Sequence, residues 1–495
     1  GARRRGPRRR CRLGERTTGG RAMTAIQTRP VEVGRRGEVL ILATCILANF
    51  MAYGTYAAFT VAVPAMSRDL DGGVTTATWM VLAFTLAMAS TTLIFARLSD
   101  ELGRRWLYVG GIVVFAVTAV VCTVDTGDAM LIAMRAVQGM AAAASMATST
   151  AVITDVFPLS RLPIAMGIFM SVAGASAVFG PMLGGVLIDH VGWRSIFWAS
   201  VLFGGLAVLT GWDGLKHVHA PPVRPFPFDV PGAVSSIVAI AALVYGIQGL
   251  GRSGAGATVA AALLASVLAL AGFVAVERRS AHPLVDLAVV SGQRSGLYVS
   301  ALGTALGGGG LVVMVTLYLE IVEGFSAAAA GAFLLPMGVM LLIGAPMAGV
   351  LQRWASQRTL TAWGGVGIGI STVLAAVVVA VDGSTRLLWP LLVVSGTAQG
   401  LYQAALSGRL MAGMAPNRRG IANGVRSTLI NGGNALSTAL VIAIVTMTAG
   451  ASSIRETDAA GARPAFVTAG LLLGALALLG AYAAWLARPA AEELR

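Results

Sequence analysis

The chain has 495 residues, of which 56% are hydrophobic and 12% are charged, about half the charged share of a typical soluble domain. This composition excludes a soluble multidomain protein, because there is too little charge to cover the surfaces of folded domains of this size. The formal net charge of +14 is unevenly distributed, since nine of the 36 basic residues lie in residues 1–22.

Residues 1–38 form a basic N-terminal segment that we predict to be cytoplasmic. Within it, residues 1–22 hold nine Arg and one Glu, and Met23 is the predicted start of the native protein. We therefore expect residues 1–22 to be a non-native extension. The alternative is a basic arm that contacts anionic lipid headgroups. The net charge gives no indication of a nucleic-acid partner.

Fourteen apolar blocks follow, each about 20 residues long, which is the length that an α-helix needs to cross ~30 Å of hydrocarbon. They lie near 39–64, 77–96, 106–124, 129–154, 163–188, 195–212, 231–250, 257–276, 296–319, 327–350, 360–381, 387–408, 421–447 and 465–487. The sequence therefore predicts an all-α polytopic membrane protein with fourteen spans, whose two termini lie on the same side of the membrane.

The orientation follows from the basic residues of the loops. If the N-terminus is inside, the inner segments after residue 22 hold 19 basic residues and the outer loops hold six. We therefore expect both termini to be cytoplasmic. A single Lys beside 35 Arg suggests a GC-rich bacterial coding sequence, and hence the bacterial inner (plasma) membrane.

A weak internal repeat divides the chain into two halves. The tetrapeptide Ala-Val-Gln-Gly at 136–139 is echoed by Thr-Ala-Gln-Gly at 397–400. We predict six-helix bundles over 39–212 and 296–487, a linker with two extra spans over 213–295, and a cytoplasmic tail over 488–495. Such halves are typical of transporters with a binding site between them at the middle of the bilayer.

Three segments carry a family resemblance, namely RLSDELGRR at 97–105, RAVQG at 135–139 and GASAVFGPMLGG at 174–185. In this order, and on these spans, they resemble the signature motifs of the major facilitator superfamily. Further segments resemble its fourteen-span drug:proton antiporter family, at 193–197, 229–232, 283–287 and 318–324. The resemblance implies a multidrug-resistance-type exporter with the major facilitator fold, in which two six-helix halves are joined through two extra central transmembrane helices.

The first motif places acid and base at the inner end of span 2. We interpret this cluster as a latch that holds one conformation of a rocking protein. Ordinary anchoring by basic residues at the inner membrane surface is the alternative. The latch candidates are Asp100, Gly103, Arg104 and Arg105.

The second and third motifs lie inside spans. Arg135 is costly in an apolar span, so we expect it to face the bundle interior together with Gln138, unless it reaches the membrane surface from the span end. The glycines of span 5 permit close approach of another helix, and a proline bends the span. The resemblance implies a gating role for this segment, although tight packing alone is also compatible with its residues: Gly174, Gly180, Pro181, Gly184 and Gly185.

Polar stripes predict the substrate cavity. They lie on spans 1, 12 and 13, which line the cavity in the family that the chain resembles. Amides and phenols among apolar side chains suit an amphipathic organic ligand better than a small ion. Each of these residues could instead hydrogen-bond between helices. The candidates are Asn49, Tyr53, Tyr56, Thr60, Gln399, Gln403, Asn431 and Asn434.

The chain departs from the family pattern at the acid that is expected in span 1. That position holds Thr55, and span 1 contains no Asp or Glu. Proton coupling needs a carboxylate in the membrane. Glu320, near the outer end of span 9, is the candidate, and Asp155 and Asp189 at span ends are weaker ones. Arg135 and Gln138 complete the predicted coupling group.

The sequence thus predicts a secondary active transporter that exports amphipathic organic compounds in exchange for protons by alternating access. The alternatives are a dedicated exporter of an endogenous metabolite or lipid and, more remotely, a non-transporting membrane receptor or enzyme. No nucleophile–base set, paired carboxylates, Walker-A loop or metal-ligand cluster is found in the sequence. We therefore expect no enzymatic activity, cofactor, metal or obligate protein partner.

Overall fold

The computed structural model describes residues 34–71, 73–124, 127–158, 161–215, 229–250, 256–280, 287–412, 416–449 and 459–487, together with residues 1, 285 and 414. The predicted N-terminal extension, the predicted start at Met23 and the predicted tail at 488–495 lie outside these residues. Side chains at some helical positions, including that of Asp100, are also outside the description.

The described residues form sixteen α-helices and no β-strand. They are α1 (Arg35–Asp69), α2 (Gly73–Leu102), α3 (Arg104–Thr123), α4 (Asp128–Val156), α5 (Leu162–Val191), α6 (Ser195–Gly214), α7 (Val230–Gln248), α8 (Gly256–Arg279), α9 (Leu287–Val290), α10 (Ser295–Ile321), α11 (Ala327–Phe333), α12 (Leu335–Leu351), α13 (Gln357–Ala380), α14 (Leu388–Met411), α15 (Pro416–Ala449) and α16 (Ala459–Leu486).

Twelve segments of the described residues are long and apolar enough to cross a membrane. The described part of the chain is thus all-helical with twelve candidate spans, and the number fourteen remains a prediction. The two predicted spans outside the twelve correspond to α2 and α14, which have 30 and 24 residues. Helices of these lengths measure about 45 Å and 36 Å at ~1.5 Å per residue, which is long enough to cross a membrane. The apolar stretch described in α2 is Trp79–Thr92, whereas α14 carries polar residues such as Gln399 and Gln403 that lower its mean hydropathy.

Local sequence sets where the helices end. Gly103 separates α2 from α3 with a φ of 93°, a conformation that only glycine adopts without strain. The Asp229 side chain accepts a hydrogen bond from the Gly232 amide at 2.8 Å and so caps the first turn of α7. α11 and α12 are offset at Leu334, next to a proline that supplies no amide hydrogen to the new helix.

The helices pack as two bundles that repeat one arrangement. In the first, α2 packs on α4 and α1 packs on α5 and α6; in the second, α12 packs on α14 and α10 packs on α15 and α16. The bundles meet along α5 with α12 and α2 with α15. α7 and α8 form a separate pair, in which α7 contacts α2 and α15. The exact boundaries of the predicted domains remain predictions.

Ion pairs and hydrogen bonds between helix termini define the two ends of the assembly. At one end, which we call the Arg104 end, Arg104 pairs with Asp155 where α3 begins and α4 ends. At the other, the Asp69 end, Asp69 at the end of α1 accepts a hydrogen bond from the Trp193 indole at 2.9 Å. Asp69 also pairs with Arg194.

Candidate functional site

The interface between the bundles contains a buried network of polar side chains, which we call the central polar network. At its middle, the guanidinium of Arg426 on α15 is 1% exposed. It donates to the Gln403 amide oxygen at 3.0 Å and to the Asn423 amide oxygen at 3.1 Å and 3.2 Å. A charged group in an apolar span is retained where polar groups solvate it, and here the side-chain amides of α14 and α15 do so.

Two hydrogen bonds of this network cross from one bundle to the other. The Asn423 side-chain amide donates to the Thr150 hydroxyl of α4 at 2.6 Å. The Tyr53 hydroxyl of α1 donates to the Asn431 side-chain oxygen of α15 at 3.0 Å. The structure therefore places the predicted cavity residues Tyr53, Gln403 and Asn431 near Arg426 between the halves, with Tyr53 and Asn431 bonded to each other.

A second buried guanidinium lies inside the first bundle, in what we call the Arg135 pocket. Arg135 is 0% exposed, and its Nε donates to the Met80 carbonyl oxygen at 3.1 Å. One terminal nitrogen donates to the Gln138 side-chain oxygen at 2.8 Å. The Phe59 and Phe84 rings lie 4.2 Å and 4.5 Å from the guanidinium carbon, within cation–π distance. Arg135 thus faces the bundle interior and does not extend to the membrane surface.

The remaining cavity candidates are distributed over several environments. The Asn49 side-chain amide donates to the Phe169 carbonyl oxygen of α5 at 3.1 Å, so it bonds one helix to another within the first bundle. Tyr56 stacks on Phe84 with ring centroids 6.0 Å apart. Thr60 is exposed and donates to the carbonyl oxygen one turn earlier, that of Ala57, at 2.7 Å.

The glycine run of α10 brings two further candidates against that helix. A Cβ at Gly308 would lie 3.0 Å from the Gln399 side chain, and a Cβ at Gly309 would lie 2.6 Å from Asn434 Oδ1. Gln399 also donates to the Ser395 hydroxyl at 3.3 Å. Both side chains therefore lie at the packing surface of α10 and are only half-buried.

The span-5 motif mediates two different contacts. A Cβ at Gly180 would lie 2.6 Å from that of Ala57, and Gly184 makes an equally close approach to Ala58, so α1 and α5 touch without intervening side chains. Gly174 instead faces the second bundle, where its Cβ would lie 2.2 Å from the Leu341 side chain.

The proline of this motif also lies at the interface of the bundles. A Cβ at Gly331 of α11 would approach Pro181 to 3.1 Å, and Gly185 is buried. Both close helix packing and contact between the bundles are therefore present in this segment. Its gating role remains a prediction.

At the predicted latch, Arg104 forms an ion pair with an acid of α4. Arg104 pairs with Asp155 and donates to the Ala151 carbonyl oxygen at 2.7 Å, which ties the start of α3 to the end of α4. Arg105 lies over the Trp106 ring at 5.7 Å. Whether Asp100 takes part lies outside the described residues, so its place in a latch remains a prediction.

The predicted coupling residues are only partly brought together. Arg135 and Gln138 are hydrogen-bonded, but Glu320 is half-buried near the Asp69 end of α10 and is bonded to no other described residue. Thr55 is buried, and its hydroxyl lies 2.7 Å from that of Ser200 on α6, so this position supports helix packing.

Sequence reasoning missed the roles of Arg426 and Thr150. The signal for Arg426 was present, because it is the second Arg that falls within a predicted span. The signal for Thr150 was absent, since a threonine in a helix usually bonds a backbone carbonyl of its own helix.

Comparisons with known protein families and solved structures agree with this architecture. Residues 45–438 match the family model of the Major Facilitator Superfamily. The fold is similar to the crystal structure of the human organic anion transporter MFSD10 (TETRAN), with a TM-score of 0.62 and 15% identity over 90% of this chain and 99% of that one.

Curated relatives of this chain are named as exporters. The chain is 33% identical to the tetracenomycin C resistance and export protein of Streptomyces glaucescens over 59% of its own length and 54% of that protein, so the match spans about half of that relative. It is 30% identical to the cephamycin export protein CmcT of Amycolatopsis lactamdurans over 83% of its own length and 87% of the relative. These relatives are transporters and not enzymes. The family match and the fold together show that the chain belongs to the Major Facilitator Superfamily.

Proposed function

We propose that this protein is a secondary active exporter that moves amphipathic organic compounds out of the cell by alternating access. The observation that carries the proposal is the central polar network, which lies between two similar bundles and includes bonds from one bundle to the other. Side chains that bond across such an interface can exchange these bonds for a ligand when the bundles separate.

The direction of transport and the ligand class are supported by the relatives. Two of them are named for the export of tetracenomycin C and of cephamycin. Aromatic and amide side chains in the network, such as Tyr53, Gln403 and Asn431, offer both apolar surface and hydrogen bonds, as sites for amphipathic ligands do. The proposal includes fourteen spans and two cytoplasmic termini in the cell membrane, with the Arg104 end inside.

Proton coupling is part of the same proposal. Glu320 lies at the end of α10 without a described partner, so its carboxylate can gain and lose a proton as its surroundings change. Arg135 with Gln138 would sense the transported charge. The Glu320→Gln variant should therefore lose the dependence of export on the pH gradient. Export with an unchanged pH dependence would remove Glu320 from the mechanism.

A dedicated exporter of one endogenous compound is the second candidate. It is favoured by the names of the relatives, each of which specifies a single natural product. In this case one compound made by the producing cell should be exported much faster than unrelated dyes.

The test is transport by the purified full chain in proteoliposomes with an imposed pH gradient. A panel of fluorescent amphipathic dyes and antibiotics is offered, and gradient-dependent movement of at least one compound is expected. Movement of several unrelated compounds favours the multidrug function, whereas movement of one favours the dedicated exporter. The absence of movement for all compounds, in liposomes with correctly folded protein, would contradict the multidrug function.

A further inference from the structure

The charged groups within the membrane are predominantly positive. Every Asp or Glu in the twelve candidate spans lies within the first or last four residues of its span. In contrast, Arg135 and Arg426 lie farther inside and are both fully buried. The hydrogen bonds described for them end on backbone and amide oxygens, which carry no formal charge.

The Arg135 pocket also has two donors that are not used. Arg135 Nη2 and Gln138 Nε2 are buried, and neither has a hydrogen-bond partner among the residues that the structure describes. A buried donor without an acceptor costs about 1–3 kcal/mol, more when the donor is charged. Because Arg135 bonds Gln138, the two unused donors belong to adjacent groups, which together could bind an acceptor with two oxygens.

No carboxylate among the described residues is bonded to Arg135. The acid that the family pattern would supply from span 1 is replaced by Thr55, and the hydroxyl of Thr55 faces Ser200 on α6. Within the described part of the chain, the Arg135 charge therefore has aromatic rings and neutral acceptors around it and no carboxylate partner.

The pocket borders the interface between the bundles through Tyr56. The Tyr56 ring stacks on Phe84, which covers the Arg135 guanidinium, and the tyrosine lies near Thr438 of α15. One turn earlier on α1, Tyr53 bonds Asn431 and lies near Arg426. The polar stripe of α1 thus runs between two guanidinium groups, one toward each end of the membrane.

We propose that the compounds carried by this protein are amphipathic organic anions, and that the carboxylate or phenolate of the substrate is bound by Arg135 and Gln138 during transport. This inference rests on the proposed function and specifies its substrate class. The rings of Phe59 and Phe84 provide apolar surface beside the bound anion. When the bundles separate, α15 leaves the side of Tyr56, and movement of this tyrosine would open the two unused donors to the substrate.

The test compares two xanthene dyes of similar size and opposite charge in proteoliposomes that contain the full chain. Fluorescein carries a carboxylate, and rhodamine 6G is a cation whose carboxyl group is esterified. We expect fluorescein to move faster than rhodamine 6G. The key variant is Gln138→Glu, which places a negative charge next to Arg135. The carboxylate can still accept the hydrogen bond that Arg135 Nη1 now donates to Gln138.

Gln138→Glu should slow fluorescein by about tenfold or more, because a charge-assisted hydrogen bond is lost and the site charge is neutralised. Rhodamine 6G should be slowed much less, so the ratio of fluorescein movement to rhodamine 6G movement should fall. Gln138→Leu is the second variant: it removes one unused donor but leaves the charge, so fluorescein should slow severalfold. The Leu variant keeps the test valid if the Glu variant does not fold.

The possible results separate the two proposals. Faster movement of rhodamine 6G would overturn the anion preference and leave the export function intact. Faster movement of fluorescein with no effect of either Gln138 variant would overturn the assignment to Arg135 and Gln138. If neither dye nor any compound of the broader panel moves, the export function itself fails.

Discussion

Contact between Thr150 and Asn423 should control how readily the two bundles separate at the Arg104 end. The Thr150 hydroxyl accepts from the Asn423 amide at 2.6 Å and donates to the Ala147 carbonyl oxygen at 3.0 Å. Thr150→Val keeps the volume and the branched shape of the side chain but removes the acceptor. In the closed arrangement, one Asn423 donor is then left buried without a partner, while the Asn423 oxygen still bonds Arg426.

The size of the effect follows from the bond that is lost. A buried donor without an acceptor costs about 1–3 kcal/mol, and this cost applies only while the bundles are closed, because water bonds the amide once they separate. At ~1.4 kcal/mol per tenfold change, the ratio of open to closed molecules should rise roughly 5- to 100-fold. A population that is largely closed would thereby become measurably open.

The measurement is a spin-label distance across the two bundles. Labels at Pro158 and Trp354 are suitable, because both residues are exposed and follow helices that end at the Arg104 end. The native cysteines are first replaced by Ala. We expect the long-distance component to grow in Thr150→Val.

Thr148→Val is the matched control on the same helix. Thr148 is also buried, but its hydroxyl donates only to the Ala144 carbonyl oxygen of its own helix, at 2.7 Å. If Thr150→Val leaves the distance distribution unchanged, or if Thr148→Val alters it equally, the contact does not control separation of the bundles.

Three further perturbations test the packing and the helix ends. Gly184→Ala should lower the melting temperature in detergent, because overpacking against α1 costs about 1–3 kcal/mol. Gly205→Ala is the control and should not lower it, because a Cβ at Gly205 meets no atom within 4 Å. Equal melting temperatures of the two variants would contradict the close contact between α1 and α5. Arg409→Met should destabilise more strongly, since Arg409 donates at 3.0 Å to two carbonyl oxygens at the end of α16, and Arg409→Lys should restore part of the loss. Hydrogen bonds from Trp193 and Arg194 lower the pKa of Asp69, so wild-type should exceed Asp69→Asn in thermal stability at neutral pH. That difference should persist just below the ordinary Asp pKa of ~3.9 and disappear as pH falls through the lowered value; a constant difference down to the most acidic pH would refute the ion-pair explanation.

The fold was largely predictable because it depends on a coarse signal. Apolar blocks of membrane-spanning length gave helices whose bounds agree closely with those observed, such as 106–124 for α3 and 257–276 for α8. The count of spans is less certain from sequence at α14, which is long but carries polar residues such as Gln399 and Gln403. Such residues lower the hydropathy of a helix without deciding whether it crosses the membrane.

The candidate site was predictable only in part, because a stripe of polar residues does not identify its partner helix. Asn49 and Tyr53 lie one turn apart on α1, yet Asn49 bonds α5 of its own bundle and Tyr53 bonds α15 of the other. Arg135 was predictable because a buried charge has few permitted environments. Its neighbours Phe59 and Phe84 come from other helices, and sequence spacing could not place them.

Described ion pairs lie within the bundles, and described neutral hydrogen bonds lie between them. This distribution suits a protein whose two bundles move as rigid units. Four ion pairs between described residues each join two residues of the same bundle: Glu38 with Arg161, Asp69 with Arg194, Arg104 with Asp155, and Asp382 with Arg463. They are partly exposed, so each contributes little energy, but each ties together two helix ends.

The described hydrogen bonds of Arg135 end on residues of the first bundle, and those of Arg426 end on residues of the second. Between the bundles, the described hydrogen bonds are neutral ones, from Tyr53 and from Asn423. A neutral hydrogen bond contributes about 1 kcal/mol net, and water replaces it when the bundles part. A guanidinium that lost its acceptors in a dry interface would cost far more. Among the described contacts, the bundles can therefore separate by breaking neutral hydrogen bonds and small-residue contacts.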